Sequence, residues 1–186
     1  MARALTPLPV KLICGVIFAS EGVLIKARKN LERRFGPCDF QSSGMPFDFT
    51  DHYEQEMGSG LRRQFLSFQR LINPRRLPAI KLYTNRLEKR FARAGKRTIY
   101  GERSRTINLD PGYLCASRLV LASCKDYAHR IYLDKGVYAE ITLHFEDGAF
   151  RPHPWTYPDY KSKGYLESFH AIRQVYMKQL SQQGFL

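Results

Sequence analysis

The 186-residue chain holds only four cysteines, and no two of them form a C-x-x-C pair. Cys14, Cys38, Cys115 and Cys124 are too dispersed for a zinc knuckle and too few for a disulfide framework. A reducing compartment such as the cytoplasm is the expectation, with no disulfide-linked partner. Also missing is any run of about 18 uninterrupted apolar residues, so no membrane helix is expected. Arg3 and the apolar stretch ending at Ala19-Ser20 faintly resemble a signal peptide. Lys11 inside that stretch, and Pro7 and Pro9 before it, favour a buried first strand instead.

Nucleotide and hydrolase signatures are absent as well. A P-loop needs G-x-x-x-x-G-K-[ST], so that backbone amides cradle phosphate and the lysine reaches it. The one Gly-Lys step is Gly95-Lys96; Arg97 follows it, and Arg90 stands where the first glycine belongs. No G-x-G-x-x-G occurs, and Lys125-Asp126 is not part of a guanine-reading N-K-x-D. There is no G-x-S-x-G elbow and no H-E-x-x-H. The five histidines are scattered, and His144 and His153 read as structural or surface residues.

Acidic residues are scarce. Seventeen Asp and Glu face 30 Lys and Arg, for a net charge of +13. Such an excess attracts phosphate polyanions or acidic surfaces; the plainer reading is a solvated basic surface with no specific partner. The excess is also local. Arg34 to Arg62 encloses no Lys or Arg, whereas Leu61 to Asn108 has fourteen against only Glu88 and Glu102. A localised excess strengthens the binding-face reading.

The chain does have the means to build a core: 44% apolar and 13% aromatic residues. It reads as one domain, 1–186, with sub-lobes at 1–100 and 101–186 as the other division. Residues 10 to 18 form a continuous apolar strand that includes Cys14. Ser20 can cap a helix with Leu24, Leu31 and Phe35 at helical spacing, stopped by Gly36-Pro37. Strands follow near Asp39 to Phe49 and Leu61 to Leu71, then a helix from Pro74 to Arg93. The buried stripe of that helix is Leu77, Ile80, Tyr83, Leu87 and Phe91. With a strand after Lys96, the order becomes a ferredoxin-like βαββαβ half. Beyond it the texture is β: Leu119 to Ser123, then a hairpin from His129 to Phe145 turning at Asp134-Lys135-Gly136. Pairing Leu133 with Val137 sets Ile131 opposite Ala139 and Arg130 opposite Glu140. That register gives a core face of Ile131, Leu133, Val137, Ala139, Ile141 and Leu143 and a polar face that includes Glu140 and Thr142. Glu146-Asp147-Gly148 is another turn, and Arg151 to Tyr160 an ordered proline-rich loop. Tyr165, Phe169, Ile172, Tyr176 and Leu180 mark an amphipathic C-terminal helix. The fold class is α+β.

Two readings of function follow. The first is binding of RNA, a nucleotide or another phosphate polyanion through the basic segment. Arg86, Arg90, Arg93 and Arg97 lie four, three and four apart along one helix edge, with Arg105 beyond. The strand Arg62 to Arg70 has the charge and aromatics of a single-strand RNA reader. It lacks the glycines, and Phe65 and Phe68 point to opposite faces. The second reading is a metal-assisted enzyme acting on a nucleotide or phosphoester. Asp48, Glu54 and Glu56 would hold a divalent cation such as Mg2+, and Asp110, Lys125, His129, Arg130 and Glu140 are the candidate catalytic groups. Against that, Asp110-Pro111-Gly112 has the composition of a plain turn, and Arg130 with Glu140 can be a cross-strand ion pair on a solvated face. Trp155 and its neighbouring tyrosines could stack a base or simply pack on a sheet.

Several blocks in order resemble one bacterial family. They are Phe47-Asp48-Phe49-Thr50, Tyr53-Glu54-Gln55-Glu56-Met57-Gly58, Asn108-Leu109-Asp110-Pro111-Gly112-Tyr113, Lys125-Asp126, His129-Arg130-Ile131-Tyr132-Leu133, Tyr138-Ala139-Glu140-Ile141-Thr142-Leu143 and Trp155-Thr156-Tyr157-Pro158-Asp159-Tyr160. Together they are similar to domain of unknown function 4416 over nearly the whole chain. The resemblance implies a single-domain bacterial protein but no catalytic residues. Family members are sometimes labelled GTP-binding, a label that the missing P-loop leaves without support here.

Overall fold

A computed structural model of the chain describes residues 3–50, 53–92 and 104–185. Its centre is the first strand, β1 (Lys11–Phe18), all eight residues of which are buried. A strand with no polar alternation needs cover on both faces and neighbours on both edges. Here β4 (Arg62–Phe68) lies antiparallel on one edge and β5 (Ile107–Leu114) antiparallel on the other. One face of β1 (Leu12, Cys14, Val16 and Phe18) packs under two helices, α1 (Glu21–Phe35) and α3 (Leu77–Phe91). On the opposite face, Ile13 meets the C-terminal helix α4 (Lys163–Gln182). All five expected stripe residues of α4 are buried.

The remaining elements extend this frame. β2 (Cys38–Gln41) and the two-residue β3 (Met45–Pro46) both pair with β4. The stretch from Asp39 to Phe49 is therefore two short strands. Between them, Ser42 uses its hydroxyl oxygen, in place of a backbone carbonyl, to accept the Phe65 N–H. A one-turn helix, α2 (Glu54–Met57), precedes β4. Asn73 caps a 3-10 turn at Pro74–Arg76, and α3 runs on from there. Beyond β5 come β6 (Arg118–Ser123), β7 (Ile131–Asp134), β8 (Val137–Glu146) and β9 (Ala149–Pro152). The nine strands of the described residues join one antiparallel sheet, ordered β2-β4-β1-β5-β6-β8-β7, with β3 on β4 and β9 on β8. The fold is α+β, as expected. The first half does not stand apart as a four-stranded ferredoxin-like module, because the sheet continues through β5 into the second half.

Two expectations are overturned. Asp110-Pro111-Gly112 is not a turn: all three residues lie within β5, opposite Gly15, Cys14 and Ile13. The hairpin keeps Ile131 opposite Ala139 and its left-handed turn at Lys135-Gly136, but Val137 pairs with Asp134 instead of Leu133, and the expected core face is buried only at Val137 and Leu143. Ile131, Leu133 and Ile141 are exposed, while Glu140 and Thr142 are buried. Two causes combine. β7 is an edge strand that no helix covers, and the β6–β8 register shifts between Leu119 and Val120. Such an irregularity breaks the alternation of a strand. Val137 accordingly packs beside Leu77, and Leu143 beside Phe150 and Phe169 across the sheet.

Candidate functional site

The sheet opens between β5 and β6. The two strands pair only from Gly112 with Leu121 to Leu114 with Leu119, so Ile107 to Pro111 has β1 on one side and, among the described residues, no strand on the other. Leu109 shows how this open edge is satisfied. Its N–H donates to Glu88 Oε1 and its carbonyl accepts from Lys81 Nζ at 3.2 Å, both side chains coming from α3. Lys81 and Glu88 are seven residues apart, two helical turns on one face, which is why both are buried in an amphipathic helix. Pro111 turns its backbone to the same edge, and a proline has no N–H to leave unpaired there. At Gly112 pairing begins, and a Cβ would come within 2.3 Å of the Val120 carbonyl oxygen. The sequence Asp-Pro-Gly thus ends the open edge instead of making a turn.

A cavity of about 1030 Å³ fills this fork. α3 lines it with Lys81, Asn85, Glu88 and Lys89, and β5 supplies Asn108 and Asp110. Arg63 reaches it from β4, Glu140 from β8, and Asp159 and Tyr160 from the 3-10 turn at Pro158–Lys161. Phe47, Phe49, Tyr53 and Tyr157 add aromatic surface.

At the deep end, the Arg63 guanidinium crosses β1 above Gly15, where a Cβ would stand 2.7 Å from Nη1. It donates to Asp110 Oδ2 at 3.0 Å, and to Asp159 Oδ2 and the Tyr160 hydroxyl at 3.4 Å each. Phe47, Phe65 and Tyr160 surround it, with their ring centres between 5.2 and 5.9 Å from the guanidinium carbon. Arg63 is 3% exposed, yet its Nε has no hydrogen-bond partner. Burial opposes the charge on Asp110, but Arg63 and Lys81 outweigh it and hold the carboxyl below its usual range. For Asp159, burial prevails over Arg63 and raises the carboxyl; Glu88 is raised by burial too, with Lys81 offsetting part of it. Burial also keeps Tyr160 a neutral phenol to well above its usual value.

Arg105 is forked onto Glu56, with contacts of 2.7 to 3.0 Å, donates to Asn108 Oδ1 at 3.0 Å, and approaches Glu88 at 3.6 Å. Arg130 donates to Glu140 at 2.9 Å, to Ser123, to the Lys125 carbonyl and to the Tyr157 hydroxyl. The plainer of the two readings of Arg130 and Glu140 puts the pair on a solvated face. It is buried, with side chains 4% and 3% exposed, because Ser123 and Tyr157 close over it. His129 bonds the same Glu140 at 3.1 Å and stacks on Trp155, outside the cavity lining.

Of the sequence candidates, Arg105, Asp110, Lys125, Arg130 and Glu140 line the cavity. Asp48 and Glu54 are exposed, and Glu56 is committed to Arg105. Those three do not meet, and among the described residues no three His, Cys, Asp or Glu side chains are placed to share a metal ion. Arg86 and Arg90 are exposed on α3 away from the cavity; Arg93 and Arg97 lie outside the described residues. Sequence reasoning overlooked Arg63, Lys81, Glu88 and Asp159. The available signal was polar residues at apolar-stripe spacing: Lys81 and Glu88 each follow a buried position of α3 directly.

Neither curated proteins nor solved structures give a match to this chain. The family model described as Domain of unknown function (DUF4416) matches residues 8–176, and the chain belongs to that family.

Proposed function

We propose that the fork cavity binds a small phosphate-bearing ligand of nucleotide size. The observation that carries this reading is the charge of the wall. Six cations (Arg63, Lys81, Lys89, Arg105, Lys125 and Arg130) face four carboxylates (Glu88, Asp110, Glu140 and Asp159). The arginines are engaged with those carboxylates and with Glu56, so the surplus falls to lysines. Lys89 and Lys125 have no carboxylate partner among the described residues, and Lys81 shares Asp110 with Arg63 at 3.8 Å. Lys81, Asn85 and Lys89 succeed one another every four residues along α3, and Lys125 enters from the far side of the fork. Such a lane suits a phosphate chain, while Phe47, Phe49 and Tyr53 offer flat apolar surface to a base. The basic segment acts here through its inward members, not through its exposed arginines. We further propose that residues 1–186 form one folding unit whose first half follows a ferredoxin-like alternation. Four free cysteines accord with a cytoplasmic setting.

The test is calorimetric titration with GTP, ATP, pyrophosphate and a single-stranded RNA, at two salt concentrations. A nucleotide is expected to bind more tightly than pyrophosphate. Lys81→Ala and Lys89→Ala should each weaken it about tenfold, the equivalent of roughly 1.4 kcal/mol, while Arg90→Ala leaves it unchanged. Binding of RNA alone, lost in Arg90→Ala, would move the site to the outer face of α3 and end this reading.

A further inference from the structure

The end of the molecule beyond the fork differs from the rest in three respects. First, it ends in an uncovered strand. β7 closes the sheet order, all four of its residues are exposed, and it borders only β8. Edge strands of stable monomers are ordinarily guarded by proline, by inward-pointing charge or by a covering loop. β7 is short and irregular between Tyr132 and Asp134, but among the described residues neither proline, inward-pointing charge nor a covering loop guards Ile131, Tyr132 and Leu133.

Second, half of the twelve exposed large apolar side chains among the described residues belong to this end. Tyr127, Ile131, Tyr132, Leu133, Ile141 and Trp155 are between 39% and 68% exposed, and they lie around one edge. Ring contacts run from Tyr127 through His129 to Trp155, whose indole N–H donates to the Ile141 carbonyl at 3.0 Å. That bond fills the gap between the β7 and β9 pairings on β8. The patch is therefore held in place, not frayed. Exposed apolar side chains grouped at an uncovered sheet edge mark a docking surface.

Third, the charge reverses. Residues 126–160 contain three Lys and Arg against six Asp and Glu, so the remainder of the chain carries more than the entire +13. This decides the occupant. Two copies of so basic a chain repel each other over most of their surface. Only at this end can they approach with little repulsion, leaving their basic faces pointing outward. We infer that the β7 edge is a homodimer interface, in which two chains meet about a twofold axis, apolar patch against apolar patch. A twofold contact needs a self-complementary surface, and an antiparallel edge strand supplies one. This inference is independent of the ligand proposed for the cavity.

Sedimentation velocity and light scattering on the full chain, over a wide concentration range and at low and high salt, test it. The expected result is a species of twice the 21.6 kDa chain mass that dissociates on dilution. It should tighten as salt screens the residual repulsion. Ile131→Lys, and the pair Ile131→Lys with Leu133→Lys, should return the single-chain mass. Both side chains are solvent-exposed, so circular dichroism should remain that of the parent. Arg86→Glu with Arg90→Glu, on the basic face, should leave the dimer intact. A single-chain mass at every concentration and salt overturns the inference, as does a dimer that survives both lysine variants. A dimer that salt dissociates would place the contact on a charged face and overturn it equally.

Discussion

Two cations lie buried in the central strands, and their surroundings differ. Lys11 on β1 is wholly buried and is taken by Asp39, by the Phe68 carbonyl at 3.1 Å and by Gln179 of α4. All three hydrogens of an ammonium are thereby used. Arg63 on β4 is almost as deeply buried and also meets carboxylates, yet it lines the cavity and keeps one N–H unpartnered. A buried charge alone therefore does not mark a site. Lys11 is a closed polar contact that fixes how α4 and β2 sit on β1. Arg63 is held by the same kind of bond, but at the point where the sheet parts.

The largest effect that tests this contrast is the loss of Arg63. Arg63→Leu leaves Asp159 without a cation and Asp110 with only Lys81 and Asn108, and removing one partner of a buried ion pair costs about 3–5 kcal/mol. Lys11→Leu leaves only Asp39, which is 17% exposed and keeps the Ser67 hydroxyl, so a smaller loss is expected. Urea unfolding of the two variants measures the difference. A loss at Lys11 that equals or exceeds the loss at Arg63 would mean that the fork is no more dependent on its cation than the closed end is.

Gly15 allows a finer cut. It lies between Phe65 and Asp110 in register, and the guanidinium passes above it. Gly15→Ala puts a methyl group where Nη1 lies. Overpacking of this sort costs about 1–3 kcal/mol and should displace Arg63 from Asp110. The expected signature is a modest fall in stability together with a clear fall in nucleotide affinity by calorimetry. Affinity preserved in a destabilised variant would show that the position of Arg63 does not matter to the ligand.

Much of this frame was legible in the sequence. The apolar run of β1, the stripes of α1, α3 and α4, and the two left-handed hairpin turns at Lys135-Gly136 and Asp147-Gly148 all follow from local rules. So did part of the site, since Asp110, Lys125, Arg130 and Glu140 do line one cavity. What escaped depends on distant partners. Asp110-Pro111-Gly112 has turn composition, and its place in β5, where no described strand lies beside Leu109, depends on the tertiary pairing. The faces of the β7–β8 hairpin could not be assigned without the register shift on β6 and the lack of a helix over β7. Lys81 and Glu88 take their roles from the Leu109 backbone, which another element brings against them.

The two ends should also respond oppositely to pH, with the smallest effects of the three. At the closed end, burial lowers the Lys11 ammonium below its usual value, with Asp39 offsetting part of the shift. The folded chain then gives up that proton before the unfolded chain does. Stability gains as pH rises from the lowered value towards the unfolded one near about 10.4. At the fork, Asp159 and Glu88 are raised by burial, so the folded chain holds their protons longer. Stability there gains as pH falls from the raised values towards the unfolded carboxyl range of about 4. Below that, Asp110 reverses the trend, because its lowered carboxyl stabilises only while charged. Unfolding free energies measured from acid to alkaline pH should therefore lose slope on the acid side in Asp159→Asn and on the alkaline side in Lys11→Met. If Lys11→Met instead changed the acid limb, the two buried cations would be coupled through the sheet and the distinction between a closed end and an open fork would fail.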